Sequence, residues 1–289
     1  MNIDVHIINA FSIGETGGNP AGVVFDADDF TKETKQAIAT KAGFAETAFV
    51  SSSVIADFKL DFFTPLKQIP HCGHATIATF SYLKKNGKIL TDHSSKETID
   101  GIRKIEFRNG LAFMEQRAPV MQVPHESMDE IFGSLHIEPG DLKPGLLPTI
   151  VNTGNSFLIV PLKDENKLKE INYNRELAYR VSERYNLVGY YVYTSTGNSG
   201  FDATARMFGP FYGIDEESAT GMAAGPLAAW LYEMEKIKKS QFRIEQGRFM
   251  KIPSPSLIQV ILEIKDNRID HLFAGGDAYI SGRKIIEIN

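Results

Sequence analysis

The chain repeats itself, and that constrains its fold more than any other feature. In the first half, Phe63-Thr64-Pro65 leads to Cys72-Gly73-His74-Ala75-Thr76-Ile77-Ala78. In the second, Phe208-Gly209-Pro210 leads to Thr220-Gly221-Met222-Ala223-Ala224. Each copy reads as a strand ending in Phe-x-Pro, then a loop, then a small-residue turn opening an apolar helix. Earlier in each half a Gly-Asn pair feeds an apolar run, Gly18-Asn19-Pro20-Ala21-Gly22-Val23-Val24 and Gly154-Asn155-Ser156-Phe157-Leu158-Ile159-Val160. The matching landmarks Asn19/Asn155, Pro65/Pro210 and Gly73/Gly221 lie 136, 145 and 148 residues apart. Two homologous halves with loop insertions explain that small drift; chance recurrence of common Gly, Asn and Pro residues is the alternative.

Both repeat helices, Ala75–Leu83 and Ala223–Leu231, are apolar on nearly every face, and a helix of that kind must be wrapped on all sides. Each half therefore reads as a strongly curved, barrel-like, mostly antiparallel sheet around one central helix. The fold class expected is α/β in the α+β sense, with two pseudo-symmetric halves. Two prolines and no clear periodicity place a linker at Ala118–Pro124, dividing the chain into lobes at 1–118 and 119–276. Locally, Lys32–Ala42 is a predicted helix with Thr31 as cap and Gly43 as stop, and Ala75–Lys85 is another. Asn109-Gly110 tolerates the positive φ of a tight turn and predicts a hairpin between Arg103–Arg108 and Leu111–Gln116. Thr149–Leu162 reads as a strand. Pro226 deletes the bond to the Met222 carbonyl and is expected to bend or delay its helix.

The charge balance, 31 Lys+Arg against 36 Asp+Glu for a net −5, argues against a nucleic-acid or anionic-membrane surface. One cysteine excludes an internal disulfide, fits a reducing compartment and excludes any mechanism needing two thiols. Charged or turn residues interrupt every apolar stretch before the roughly 18 residues of a membrane span. The Ile3–Phe11 run opens the chain as a strand, without a basic-then-apolar leader pattern, so a cytoplasmic location is expected. Neither a Gly-x-Gly-x-x-Gly after a strand nor a Gly-x4-Gly-Lys-Ser/Thr occurs, so nucleotide cofactors have no support.

Glu46 is the sharpest candidate, a charge among small and apolar neighbours in Gly43-Phe44-Ala45-Glu46-Thr47-Ala48-Phe49-Val50. An acid so placed is expected to have its pKa raised toward neutrality, which suits proton shuttling; alternatively it begins a strand and faces water. His74 could donate to a substrate oxygen or move a proton, or could merely serve a nearby carbonyl. A helix N-terminus presents free N–H groups and partial positive charge, so the turns at Gly73 and Gly221 could grip an acidic small molecule across a shared cleft. The alternative is that both glycines only let helix pack on strand. His71-Cys72-Gly73-His74 looks like a fragment of a metal site, but the remaining histidines are scattered and no second cysteine exists, so no metal is expected.

Together these segments resemble the phenazine-biosynthesis isomerase family usually called PhzF-like, within the diaminopimelate epimerase-like fold. The residues that carry the resemblance are Gly18-Asn19-Pro20-Ala21, Ala45-Glu46-Thr47-Ala48-Phe49-Val50, Phe63-Thr64-Pro65, Cys72-Gly73-His74-Ala75-Thr76, Arg206-Met207-Phe208-Gly209-Pro210, Ala219-Thr220-Gly221, Ala223-Ala224-Gly225-Pro226-Leu227, Gln246-Gly247 and Gly275-Gly276. None is specific alone, but the ordered set spans nearly the whole chain. The resemblance implies a cofactor-free homodimer acting on a small carboxylate, and a C-terminal strand, 277–289, that completes the first lobe. It implies that Glu46 removes a proton from one carbon and returns it to another. It further implies that His74 helps hold and protonate the substrate, and that backbone N–H groups around Gly73 and Gly221 bind it. Asn19, Cys72, Thr220 and Met222 join the binding set.

This sequence departs from the family pattern in the second half. Glu217 stands where an aspartate takes part in the site, and Met222 replaces a serine hydroxyl. Ala45, Gln68 and His71 also differ from common family residues. Two alternatives stay open. A Cys72/Thr220 pair is similar to the single-base dehydratase branch of the proline racemase group, and a non-catalytic receptor for small acids would also use such a cleft.

Overall fold

The computed structural model describes residues 1–195 and 200–288; residue 289, the last of the expected closing strand, lies outside the described residues. The chain divides into two units, Met1–Glu115 with Gly275–Asn289, and Gln116–Ala274. The first begins with β1 (Asn2–Ala10), β2 (Asn19–Val24), α1 (Lys32–Ala42), β3 (Thr47–Ser51), β4 (Phe58–Phe63) and β5 (Gln68–Ile69). It continues with α2 (Gly73–Lys85), β6 (His93–Thr98), β7 (Gly101–Arg108) and β8 (Leu111–Arg117), the strand that carries the chain into the second unit. There follow β9 (Val120–Gln122), α3 (Met128–Leu135), β10 (Thr149–Asn152), β11 (Ser156–Pro161), α4 (Glu165–Glu170), α5 (Arg175–Arg184) and β12 (Leu187–Ser195). The second unit ends with β13 (Ala203–Gly209), β14 (Ile214–Glu217), α6 (Gly221–Glu233), β15 (Gln241–Gln246), β16 (Ser256–Lys265) and β17 (Arg268–Gly276). The last strand, β18 (Ala278–Glu287), belongs to the first unit and pairs antiparallel with β1.

The repeat read from sequence is a repeat of connectivity. In the first unit β1–β2 is antiparallel, β2–β3 parallel, β3–β4 antiparallel, β4–β6 parallel and β6–β7 antiparallel. In the second, β10–β11, β11–β12, β12–β13, β13–β15 and β15–β16 follow the same order of directions. The short β5 lies against β4, and β14 likewise against β13. In each unit the strand that ends in the Phe-x-Pro segment is followed by this short strand and then by the apolar helix. The sheet is curled but does not close into a barrel.

The apolar helices are the centres of their units. α2 packs on β1, β2, β3 and β18, and α6 on β10, β11 and β16. Ala75, Ile77, Ala78 and Phe80 on α2 are fully buried, as are Leu227, Ala228, Ala229, Trp230 and Leu231 on α6. Each Leu, Ile or Phe so buried contributes about 1.5–3 kcal/mol of transfer free energy. α1 has the predicted ends: Thr31 Oγ1 accepts from the Thr34 N–H, and Gly43 closes it at φ 75°. The Asn109-Gly110 turn takes φ values of 53° and 79°, joining β7 to β8.

Three local expectations differ from the structure. Thr149–Leu162 is not one strand: Gly154, at φ 121°, turns the chain, and β10 folds back antiparallel on β11. The Asn152 carboxamide oxygen fastens that turn by accepting from the Gly154 N–H. The Ala118–Pro124 linker contains β9, whose Val120–Gln122 pairs with β10 although Pro119 and Pro124 flank it. Finally, Pro226 does not delay its helix: α6 begins at Gly221 and continues through it to Glu233.

Candidate active site

Gly43 ends α1, and the next three residues carry the chain to Glu46 at the threshold of β3. The Glu46 carbonyl accepts from the Gly22 N–H at 3.1 Å, and Thr47 pairs with Gly22 in the parallel β2–β3 register. Gly22 is needed for this approach. A Cβ there would stand 2.9 Å from Phe44 Cδ2 and 3.0 Å from Thr47 Oγ1. The Glu46 side chain, anchored in this way, is only 14% exposed.

Cys72 caps α2 and His74 lies in its first turn, both buried. His74 Nε2 is 3.2 Å from Glu46 Oε2, and Cys72 Sγ lies 3.6 Å from His74 Nδ1. The three sequence-predicted residues Glu46, Cys72 and His74 are therefore brought together. At that separation Glu46 and His74 form an ion pair when the imidazole is protonated, yet Glu46 Oε2 is buried and accepts no well-directed hydrogen bond.

The electrostatics correct one expectation. Burial pushes the Glu46 carboxyl upward, but the adjoining His74 charge and contact draw it down further, so its pKa lies below the ordinary value. Reading the apolar neighbours in sequence captured the first effect and missed the second. The Cys72 thiol moves the other way, because its complete burial outweighs the His74 imidazole. Glu46, Cys72 and His74 offer three ligand-type atoms within 4.8 Å of one another, the set that could hold a cation. A structural zinc site takes four such ligands, and the thiol would have to be ionised against its burial.

The second unit builds its own turn. Thr220 caps α6 as Cys72 caps α2, and neither makes a side-chain capping bond. The Thr220 hydroxyl donates to the Glu217 carboxylate at the end of β14. Gln246, fully buried at the end of β15, accepts from the Thr220 N–H at 3.0 Å and from the Tyr191 hydroxyl at 2.9 Å. Its amide nitrogen donates to the Glu217 carbonyl at 2.7 Å and to Thr220 Oγ1 at 3.1 Å. Gln116 Nε2 donates to the Gly221 carbonyl at 2.9 Å. Met222 is half-buried, with Asn155 Nδ2 at 3.5 Å from its sulfur. Asn19 is buried as the first residue of β2, opposite Ala10.

Sequence reasoning assigned no role to Gln246, Gln116 or Lys96, which hold the two turns. Gln246 stood next to a glycine in a quoted segment, and that adjacency was the available signal. Lys96 in a polar-looking stretch carried none.

A family model described as phenazine biosynthesis-like protein matches residues 8–282. The uncharacterized isomerase YddE of Escherichia coli K12 is 29% identical over 295 residues, covering 97% of this chain and 97% of its own. The trans-2,3-dihydro-3-hydroxyanthranilate isomerase of Pseudomonas chlororaphis is 28% identical over 287 residues, covering 97% of this chain and 98% of its own. Among solved structures, a Bacillus anthracis phenazine biosynthesis protein of the PhzF family superposes with a TM-score of 0.88 at 29% identity. That match covers 100% of both chains.

Proposed function

This chain belongs to the phenazine biosynthesis-like family, and from that premise we propose that it is a cofactor-independent isomerase that moves a proton on a small carboxylate-bearing metabolite, with Glu46 as acid and base. The observation that carries the reading is the buried Glu46 carboxylate with its Oε2 3.2 Å from His74 Nε2. A carboxyl held below its usual pKa is ionised at neutral pH, so it begins as the base. It takes the proton from one substrate carbon as that C–H bond breaks. The electron pair shifts into the neighbouring π system, and the carboxyl then delivers a proton to the far carbon. His74 holds the Glu46 carboxylate ionised before the abstraction and donates to a substrate oxygen. The proton on the Glu46 carboxyl exchanges with solvent between the two transfers, so heavy water labels the carbon that receives it.

The N-terminus of α2 at Gly73, in the same unit as Glu46, supplies N–H donors for an anionic group of the substrate. Glu217 and Thr220, already hydrogen-bonded to each other, are assigned with Asn19 and Met222 to substrate recognition. Cys72 is a poor base here because burial keeps the thiol protonated. That favours the glutamate reading over a single-thiol dehydratase. The family resemblance further supports a homodimer, which sedimentation would reveal.

Trans-2,3-dihydro-3-hydroxyanthranilate, named for the Pseudomonas chlororaphis relative, is the first compound to offer. Met222 in place of a serine hydroxyl argues that a less hydroxylated acid is preferred. Deuterium uptake from heavy water by an accepted substrate, lost in Glu46→Gln by about 10²–10⁴-fold, would bear the mechanism out. Unchanged uptake in that variant would reject it.

A further inference from the structure

Lys96 on β6 is fully buried, and among the described residues it makes no ion pair. A buried unpaired ammonium is expensive, and a methionine or leucine would fill the same volume without the penalty. Its surroundings show what it holds. Nζ donates to Thr76 Oγ1 at 2.5 Å and lies 3.2 Å from His71 Nδ1, with the Phe62 ring centroid at 5.0 Å. The Thr76 hydroxyl in turn donates to the Cys72 carbonyl at 2.6 Å. The ammonium therefore reaches, through one hydroxyl, the residue that caps α2 two positions before His74. His71, two positions before Gly73, is its second partner and is held neutral by burial and by Lys96 itself, so its ring can accept.

We propose that Lys96 is a positioning residue of the acid/base site, gripping the first turn of α2 from behind through Thr76 and His71 and so holding the His74 imidazole against Glu46. The inference rests on the reading of Glu46 and His74 as the working pair, but its test needs no substrate. The grip depends on charge: desolvation lowers the Lys96 pKa to about 7, so the ammonium is discharged within the physiological range. The groups that face it are His71 and Cys72 around the head of α2, Arg103 opposite on β7 and Asp100 in the β6–β7 turn. β4 turns the apolar face of Phe58, Leu60 and Phe62 toward it, since Lys59 and Asp61 alternate to the other face.

The test is a pH titration of the His74 ring nitrogens by NMR, with the Lys96 side-chain resonance followed in the same samples. The expected result is a second inflection in the His74 shifts at the Lys96 midpoint, in addition to the one from the imidazole itself. Lys96→Met should lose that inflection. Thr76→Val, which keeps the ammonium and removes the hydroxyl link, should lose most of it, and this variant serves if Lys96→Met does not fold. His74 shifts insensitive to the Lys96 midpoint in the unaltered protein, or an inflection retained in Thr76→Val, would overturn the proposal. Either outcome leaves the isomerase reading to be judged separately by deuterium uptake.

Discussion

His74 Nε2 stands 3.2 Å from Glu46 Oε2, and that contact decides the sign of the carboxyl's pKa shift. Burial alone would raise it; the imidazole reverses the outcome. His74→Gln should therefore move the Glu46 pKa upward past its ordinary value, because desolvation is then unopposed. The Glu46 carboxyl carbon, followed by NMR against pH, reads this directly. A folded-state pKa below the unfolded one contributes stability above about pH 4.3–4.5, lost as pH falls through the lowered folded value. The variant should lose that acid-side dependence, and a titration unchanged from the parent would refute the electrostatic account.

Lys96 supplies a pH dependence of the same sign in a higher window. Its folded pKa of about 7 lies below the ordinary lysine value of 10.5, so between these values the unfolded chain binds more protons. Its contribution to stability therefore rises with pH across that window, and its burial costs most at pH 7 and below. Lys96→Met should be more stable than the parent at pH 6 by a few kcal/mol, on the order of 1.4 kcal/mol per pKa unit relieved. The gain should shrink toward pH 10. Urea melts of both proteins across this range provide the check.

Gln246 is saturated by four partners, Thr220 N–H, Tyr191 hydroxyl, Glu217 carbonyl and Thr220 Oγ1. Gln246→Leu keeps the volume and strands these buried groups. It should cost roughly 3 kcal/mol, since each unsatisfied buried group costs about 1–3 kcal/mol and relaxation recovers part. Denaturant unfolding measures it. Gln246→Glu, which keeps the acceptor and loses the donor, should fall between.

Gly22→Ala introduces a Cβ 2.9 Å from Phe44 Cδ2 and 3.0 Å from Thr47 Oγ1. The clash sits at the pairing that fixes Glu46, so β2 and β3 must part. A loss of about 1–3 kcal/mol in stability is expected, with a fall in turnover larger than any change in KM. Unfolding and steady-state kinetics on the same preparations separate the two effects.

Much of this was legible in the amino-acid order because it depends on local rules. The Thr31 cap, the Gly43 stop and the Asn109-Gly110 turn each answer to one backbone requirement, and each formed where expected. The two-fold recurrence of Phe-x-Pro and a small-residue turn marked two sheets of the same strand order. What escaped depends on partners distant in sequence. The burial of Lys96 comes from the parallel pairing of β6 with β4 and the covering first turn of α2, so a stretch reading His93-Ser94-Ser95-Lys96 gave no hint. The β10–β11 turn was marked by the polar stretch Asn152-Thr153-Gly154-Asn155-Ser156, which a single-strand reading passes over because the apolar runs on either side are both buried. The Glu46 pKa direction needed the position of His74, 28 residues onward, at atomic separation.

Deuterium incorporation tests the central assignment most directly. An accepted acid, incubated in heavy water with the unaltered protein, should gain label at the carbon that receives the proton. With Glu46→Gln the same acid should bind and stay unlabelled. Equal label in both incubations would mean that a different group carries the proton.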